Sequence, residues 1–310
     1  MTASAAARES PERAAALMRR ATAASVAVGG TMVAVTLVAW FASGSVSLLS
    51  SLLDSLLDAA VSLVNLWAVR QALTPADREH RFGHGKVEPL ASLAQAAFIA
   101  GSAVLLLFEA AEHLFRPVVV TNIGLGIGVM VFGMVAALVL ASYERYVVRR
   151  TGSLVVDTDA LHYRAHLIVN LSVVVSLLLT RLEGWSAADP ICGGVIALWI
   201  IYGAWQMAKR SVMQLMDREL PDAQRRRVRE IALTEPAVRA VHDLRTRESG
   251  PYAFIQIHLE LDGALTLAEA HRISDKVEAD IRAAFPHAEV LIHQDPEGVE
   301  EARATFASEI

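Results

Sequence analysis

The chain has 310 residues, enough for about two ordinary globular domains, but 54% of them are hydrophobic and only 20% are charged, and the mean hydropathy is +0.40. That balance points to a membrane protein. The formal charge of −5, from 28 basic and 33 acidic residues, leaves no basic surplus for nucleic acid, and the single cysteine, Cys192, excludes internal disulfides and cysteine-based metal sites.

Arg19-Arg20 precede an apolar run with no small-residue cleavage site leading into polar sequence, so the run reads as an uncleaved first membrane helix. A hydrocarbon core of about 30 Å needs roughly 20 apolar residues. Stretches of that kind fall near 22–43, 46–72, 90–115, 122–147, 160–181 and 186–210, which predicts six transmembrane helices. The first two are separated only by Ala42-Ser43-Gly44-Ser45, a tight helical hairpin. Arg116-Pro117 ends the third helix, Thr121-Asn122 offers a cap to the fourth, and Glu183-Gly184-Trp185 turns between the fifth and sixth.

Basic residues gather at one end of these helices. Arg8, Arg13, Arg19 and Arg20 precede the first helix, Arg70, Arg78, Arg81 and Lys86 follow the second, and Arg145, Arg149 and Arg150 follow the fourth, whereas the opposite loops hold little beyond Arg116 and Arg181. The excess of Lys and Arg on the cytoplasmic side predicts that both termini are cytoplasmic.

After Arg210 the composition becomes charged, through Asp217-Arg218-Glu219-Leu220-Pro221-Asp222. The pattern predicts a helix from Asp222 to Thr234, strands at 238–247 and 252–262, a helix at 266–284 and a strand at 288–294. In the middle strand Ile255, Ile257, Leu259 and Leu261 alternate with Gln256, His258 and Glu260, one face for a core and one polar. The expected fold is an α-helical membrane protein with a small cytoplasmic α+β domain of order αββαβ. Its expected divisions are a cytoplasmic tail at 1–20, a six-helix transport domain at 21–215, a cytoplasmic domain at 216–296 and a polar tail at 297–310.

Three groups of residues carry chemistry. Ser-Leu-Leu-Asp-Ser-Leu-Leu-Asp places Asp54 and Asp58 one turn apart on the second helix, and Leu-His-Tyr-Arg-Ala-His places His162 and His166 one turn apart on the fifth. An aspartate at mid-bilayer costs about 2.5–3.5 kcal/mol. A helix-end position touching water would explain the aspartates alone, and a lone intramembrane histidine is more often a packed one. Two matched pairs instead suit a tetrahedral oxygen and nitrogen site for a divalent ion such as zinc. The second group, Asp77, His80 and His84, lies in the loop after the second helix, with Gly83 and Gly85 letting the backbone turn around His84. By spacing alone, solvated loop residues account for it equally well. The third group, His242, His258, His271, His293 and Asp295, belongs to the cytoplasmic domain. Each of its histidines alone reads as a surface residue, and together they could converge at a sheet edge or a dimer surface.

The ordered set Asp-Ser-Leu-Leu-Asp at 54–58, Phe-Gly-His-Gly-Lys at 82–86, Leu-His-Tyr at 161–163, Asp-Leu-Arg-Thr-Arg at 243–247 and Ile-His-Gln-Asp-Pro at 292–296 resembles the cation diffusion facilitator family over nearly everything from residue 25 to 296. The resemblance implies a metallochaperone-like cytoplasmic domain and a homodimer in the bacterial inner membrane that exchanges divalent metal for protons. It implies a transport site of Asp54, Asp58, His162 and His166, a loop site of Asp77, His80 and His84, and a binuclear cytoplasmic site of His242, His258, His271, His293 and Asp295. Lys86 and Asp217 match a charge pair that ties the helices to the cytoplasmic domain. Bacterial relatives carry aspartate where this chain has His166. Two carboxylates and two imidazoles favour zinc, with cadmium or ferrous iron as other cargoes, over harder cations that prefer oxygen.

No catalytic triad, P-loop or His-Glu-x-x-His is present in the sequence, so the expectation is a secondary active transporter without an organic cofactor, binding Zn2+ as cargo and as a structural or regulatory ion. A membrane-anchored metal sensor or scaffold is the alternative. A zinc hydrolase would need an open coordination position for water, and a carrier of organic solutes would not need paired histidines.

Overall fold

A computed structural model describes residues 11–44, 46–115, 124–183, 188–250 and 252–299. The predicted turn at Arg116-Pro117, the cap at Thr121-Asn122, Gly184-Trp185, Arg8 and the end of the polar tail lie outside them. The chain divides into two compact units, Met1–Leu215 and Met216–Ile310.

Among the described residues, the first unit contains six long helices: α1 (Pro11–Ser43), α2 (Val46–Ala72), α3 (Val87–Phe115), α4 (Gly124–Thr151), α5 (Leu154–Glu183) and α6 (Ala188–Leu215). Among the described residues, five of them, all but α5, are long and apolar enough to cross a membrane. The first half of α5 carries Asp157, Asp159, His162, Arg164 and His166. Several helices extend past their apolar runs. Thus α5 begins at Leu154 rather than near 160, α3 at Val87, and α6 continues to Leu215, because hydropathy marks the lipid-soluble stretch and not the hydrogen-bonded ends.

This unit is apolar on the outside, as lipid demands: Phe41, Trp67, Leu105, Phe108, Val139 and Trp205 are all exposed. Polar side chains point inward and link helices. Ser25 Oγ lies 2.9 Å from Ser62 Oγ and 3.3 Å from the Tyr163 hydroxyl, joining α1, α2 and α5, while Ser92 sits 2.6 Å from Thr158 and accepts from Ser211 at 3.0 Å, joining α3, α5 and α6. Buried polar contacts of this kind act as glue where lipid offers no competing hydrogen bonds.

Two glycines set the geometry around α2 and α5. A Cβ on Gly29 would lie 3.2 Å from Ala59 Cα, so glycine lets α1 press against α2 beside Asp58. Gly152 has φ +72 and its N–H donates to Val148 O at 2.8 Å, closing α4 with the left-handed residue that glycine adopts at least cost. Ser153 follows at once, its Oγ accepting the Val156 N–H at 3.4 Å in the manner of an N-cap. This two-residue junction fixes where α5 starts, and so which of its side chains face inward.

The second unit contains α7 (Asp222–Ala232), β1 (Ala240–Ser249), β2 (Tyr252–Leu261), α8 (Leu267–Ala284) and β3 (Ala288–Pro296). The sheet order is β1-β2-β3, antiparallel between the first two strands and parallel between the last two. The alternation in β2 is realised: Ile255, Ile257, Leu259 and Leu261 are buried, with Val228 of α7 and Val277 and Ile281 of α8 in the same core cluster. A capping box starts α8, with Thr266 Oγ1 accepting the Glu269 N–H and the Glu269 carboxylate accepting the Thr266 N–H. The predicted end of α7 at Thr234 is two residues too far, since Leu233 already caps the helix.

Ile281 is fully buried in the hydrophobic core of this unit. Ile281→Ala should therefore destabilise it by about 2–5 kcal/mol, read as faster amide exchange throughout β2 of the full chain, with helices α1–α6 unaffected.

Candidate metal centres

Among the described residues, three clusters of histidine and carboxylate groups have ligand atoms within 4.8 Å of one another: Asp58, His162 and His166; Asp77, His80 and His84; and His242, His258 and Asp295.

The first lies between α2 and α5. Asp58 Oδ1 is 3.1 Å from His162 Nε2, and Asp58 Oδ2 is 3.5 Å from His166 Nε2, so one carboxylate offers one oxygen to each imidazole. The helical repeat puts both rings on one face of α5, with centroids 4.5 Å apart. His162 is buried, and Phe98 of α3 lies beside it with centroids 6.4 Å apart. His166 is more open, its side chain 42% exposed. Asp54, one turn earlier on α2, is exposed and is not among these three.

In the loop, Asp77 folds the chain onto itself. Its Oδ1 accepts the N–H groups of His80 at 2.7 Å and Glu79 at 2.9 Å, an Asx-type turn, while Oδ2 faces His84 Nε2 at 3.4 Å. The His80 N–H bond, the largest influence, holds the Asp77 carboxyl below its ordinary range against the opposing effect of burial, with help from the Glu79 N–H. His84 Nδ1 is buried and lacks a hydrogen-bond partner among the described residues.

The third cluster follows from sheet register. His242 pairs with His258 across β1 and β2, and His258 with His293 across β2 and β3. Residues opposite one another share a face, with Cβ atoms about 4.5–5.5 Å apart, so three imidazoles stand in a row on the face away from the hydrophobic core. Asp295 is two residues beyond His293, hence on that same face. Its Oδ2 accepts from His242 Nε2 at 2.8 Å and His258 Nδ1 at 2.9 Å, and its Oδ1 is 3.1 Å from His293 Nε2. Burial pushes the Asp295 carboxyl up, but the bonds from His258 and His242 outweigh it and hold the group below its ordinary range. His271 stands apart on α8, 3.5 Å from Asp275.

Of the remaining expected site residues, Lys86 donates to the carbonyls of Gln214 and Leu215 at 3.0 and 3.1 Å, and Asp217 lies 3.4 Å from Arg247. Asp243 was not foreseen as part of the third cluster. Its backbone is left-handed, φ 44, at a register shift between His242 and Arg245, which brings its Oδ2 to 3.7 Å from His258 Nε2. Such a bulge leaves no mark in hydrophobic alternation. Asp159 was missed because the predicted fifth helix began after it.

Asp295 anchors imidazoles from two other strands, so Asp295→Ala should lower the metal-free stability of the second unit by about 1–2 kcal/mol at neutral pH. The sign in acid follows from its depressed carboxyl: the contribution is complete above the ordinary carboxylate range and disappears as pH falls through the folded-state value. Denaturation of wild type and variant should therefore converge at low pH.

Residues 22–216 match the family described as the cation efflux transmembrane domain, and residues 220–297 match the cation efflux protein cytoplasmic domain. The chain is 44% identical over 280 residues to the cation-efflux pump FieF of Salmonella paratyphi A and to that of Serratia proteamaculans, covering 90% of this chain and 93% of each relative. A structure of the CzrB transporter in its zinc form aligns at 35% identity with a TM-score of 0.26, over 28% of this chain and 99% of that one. The chain belongs to the cation diffusion facilitator family of cation efflux transporters, multi-pass membrane proteins with a cytoplasmic domain.

Proposed function

We propose that this transporter exports zinc by exchanging it for protons, with cadmium and ferrous iron as weaker cargoes. The observation that carries the reading is Asp58, whose two oxygens each meet an imidazole from another helix. This is a mixed oxygen and nitrogen set, suited to a borderline-soft divalent ion. Asp54, on the same face of α2 one turn away, would complete it as a fourth ligand, and two ionised carboxylates would neutralise the ion in a low-dielectric surround.

The chemistry of coupling lies in the ligands. Imidazole binds metal only when neutral, and its unperturbed pKa of about 6.5 lies within the range over which cells hold pH gradients. Zinc and protons therefore compete for His162 and His166, and a site reached alternately from each side would load zinc from the cytoplasm and protons from outside. His166, in place of an oxygen ligand, tilts the site towards zinc and strengthens its pH dependence between about 5 and 8.

In the same reading, residues 1–20 form a cytoplasmic tail, 21–215 the transport domain, 216–296 the metal-binding and dimerisation domain and 297–310 a second tail, in a homodimer of the bacterial inner membrane with both termini cytoplasmic. His242, His258, His271, His293 and Asp295 would hold zinc as a resident ion. The buried, multiply bonded Asp295 and the row of imidazoles fit such an ion, which would tie three strands together and favour one arrangement of the dimer. Asp77, His80 and His84 would hold a further ion, and Lys86 and Asp217 would have structural roles.

Zinc uptake into proteoliposomes under an imposed pH gradient tests the transport reading. Wild type should move zinc, Asp58→Ala should reduce the flux at least 100-fold, and collapse of the gradient should abolish accumulation. If correctly inserted wild type moved no divalent metal under any gradient, the protein would instead be a membrane-anchored sensor or scaffold, and full flux in Asp58→Ala would take the transport path away from this cluster. His166→Asp should keep transport while shifting preference towards manganese and iron and flattening the pH profile.

A further inference from the structure

One turn before His162 on α5, a second polar centre lies inside the bundle and shares no ligand with the metal cluster. Asp159 and Glu144 are each about 1% exposed, and their carboxyls lie within hydrogen-bonding reach of each other. Asp159 Oδ1 is fully engaged, accepting Asn65 Nδ2 at 3.1 Å and Gln95 Nε2 at 2.9 Å. Its Oδ2, Glu144 Oε2 and Gln95 Oε1 are buried without a hydrogen-bond partner among the described residues.

Among the described residues, no lysine or arginine acts on Glu144. Asp159 is the charged group that acts on Glu144, and on its own helix Asp159 acts on His162 and Tyr163, the latter also sensing Glu144. From α5, His162 is committed to Asp58, and the Tyr163 hydroxyl lies 3.3 and 3.4 Å from Ser25 of α1 and Ser62 of α2. The arginines of the neighbouring elements are engaged elsewhere or face outward: Arg19, Arg20, Arg145, Arg149 and Arg150 are exposed, Arg164 lies over Trp199, and Arg210 is paired with Asp157 at 3.0 Å. On α3, Glu88 is bonded to Ser153.

Two adjacent carboxylates cannot both stay ionised in so dry a place, since each unpaired buried charge costs several kcal/mol or more and like charges in contact repel. Two facing carboxyl oxygens are both acceptors, so neither can satisfy the other until a proton stands between them. Because Asp159 Oδ1 already accepts two amide donors, Asp159 is the better anion and Glu144 the better donor. We propose that Glu144 and Asp159 jointly hold one proton, forming a proton-binding site inside the helix bundle that is separate from the Asp58–His162–His166 cluster. Its position one helical turn from His162 lets the charge of the pair act on the metal cluster without occupying it.

Infrared spectroscopy of the full-length protein in lipid vesicles at neutral pH tests this directly. A buried protonated carboxyl gives a carbonyl stretch resolved from carboxylate bands. Wild type should show it, carbon-13 labelling of glutamate side-chain carboxyls should shift it, and Glu144→Gln should remove it while Asp58→Asn leaves it in place. Absence of the band in wild type, indifference to glutamate labelling, or its persistence in folded Glu144→Gln would overturn the proposal. The labelling arm needs no variant, so it stands even if Glu144→Gln fails to fold. The readout is independent of zinc flux, and failure of the transport reading would leave the band in place.

Discussion

Carrying carboxylates into a membrane imposes the constraint that organises the helical unit. An aspartate in hydrocarbon is tolerated only with partners, and Asp58 finds them in two imidazoles from α5. That pairing requires α5 to start at one particular residue, which the Gly152-Ser153 junction secures, and it requires α1 to lie close to α2, which Gly29 permits. The serine, threonine and tyrosine bridges between helices then hold the remaining inward-facing groups, while the apolar residues turn outward.

The cytoplasmic unit solves a different problem with the opposite layout. Its hydrophobic face is covered by α7 and α8, and the other face is left for chemistry. Register does what sequence proximity does in α5: His242, His258 and His293 are separated by 16 and 35 positions (258 − 242; 293 − 258), yet the ladder places them in one row. A cluster of possible metal ligands is thus reached once by helical period and once by strand pairing.

This difference explains what could be read in advance. The pairs Asp54 with Asp58 and His162 with His166 are visible in the sequence because one turn of helix is a local rule, and the strand alternation around Ile255, Ile257 and Leu259 is equally local. The sequence also lists the cytoplasmic histidines, but their adjacency depends on register, and the approach of Asp243 depends on a bulge with left-handed backbone. Neither has a local signature. Glu144 and Asp159 were passed over because each sits near the end of an apolar stretch, where a charge looks like a helix terminus meeting water. Only the packing of α2, α3, α4 and α5 shows both to be buried.

The placement of Asp58 and the two histidines on α2 and α5 has a mechanical consequence. These two helices touch over a short length, whereas α1 with α2 and α3 with α6 are extensively packed. An ion seated between Asp58 and the imidazoles would act as a removable crosslink across the weaker seam. Its departure would loosen the very joint that had to hold for it to bind, so residence time at the site and stiffness of the bundle become two measures of one quantity.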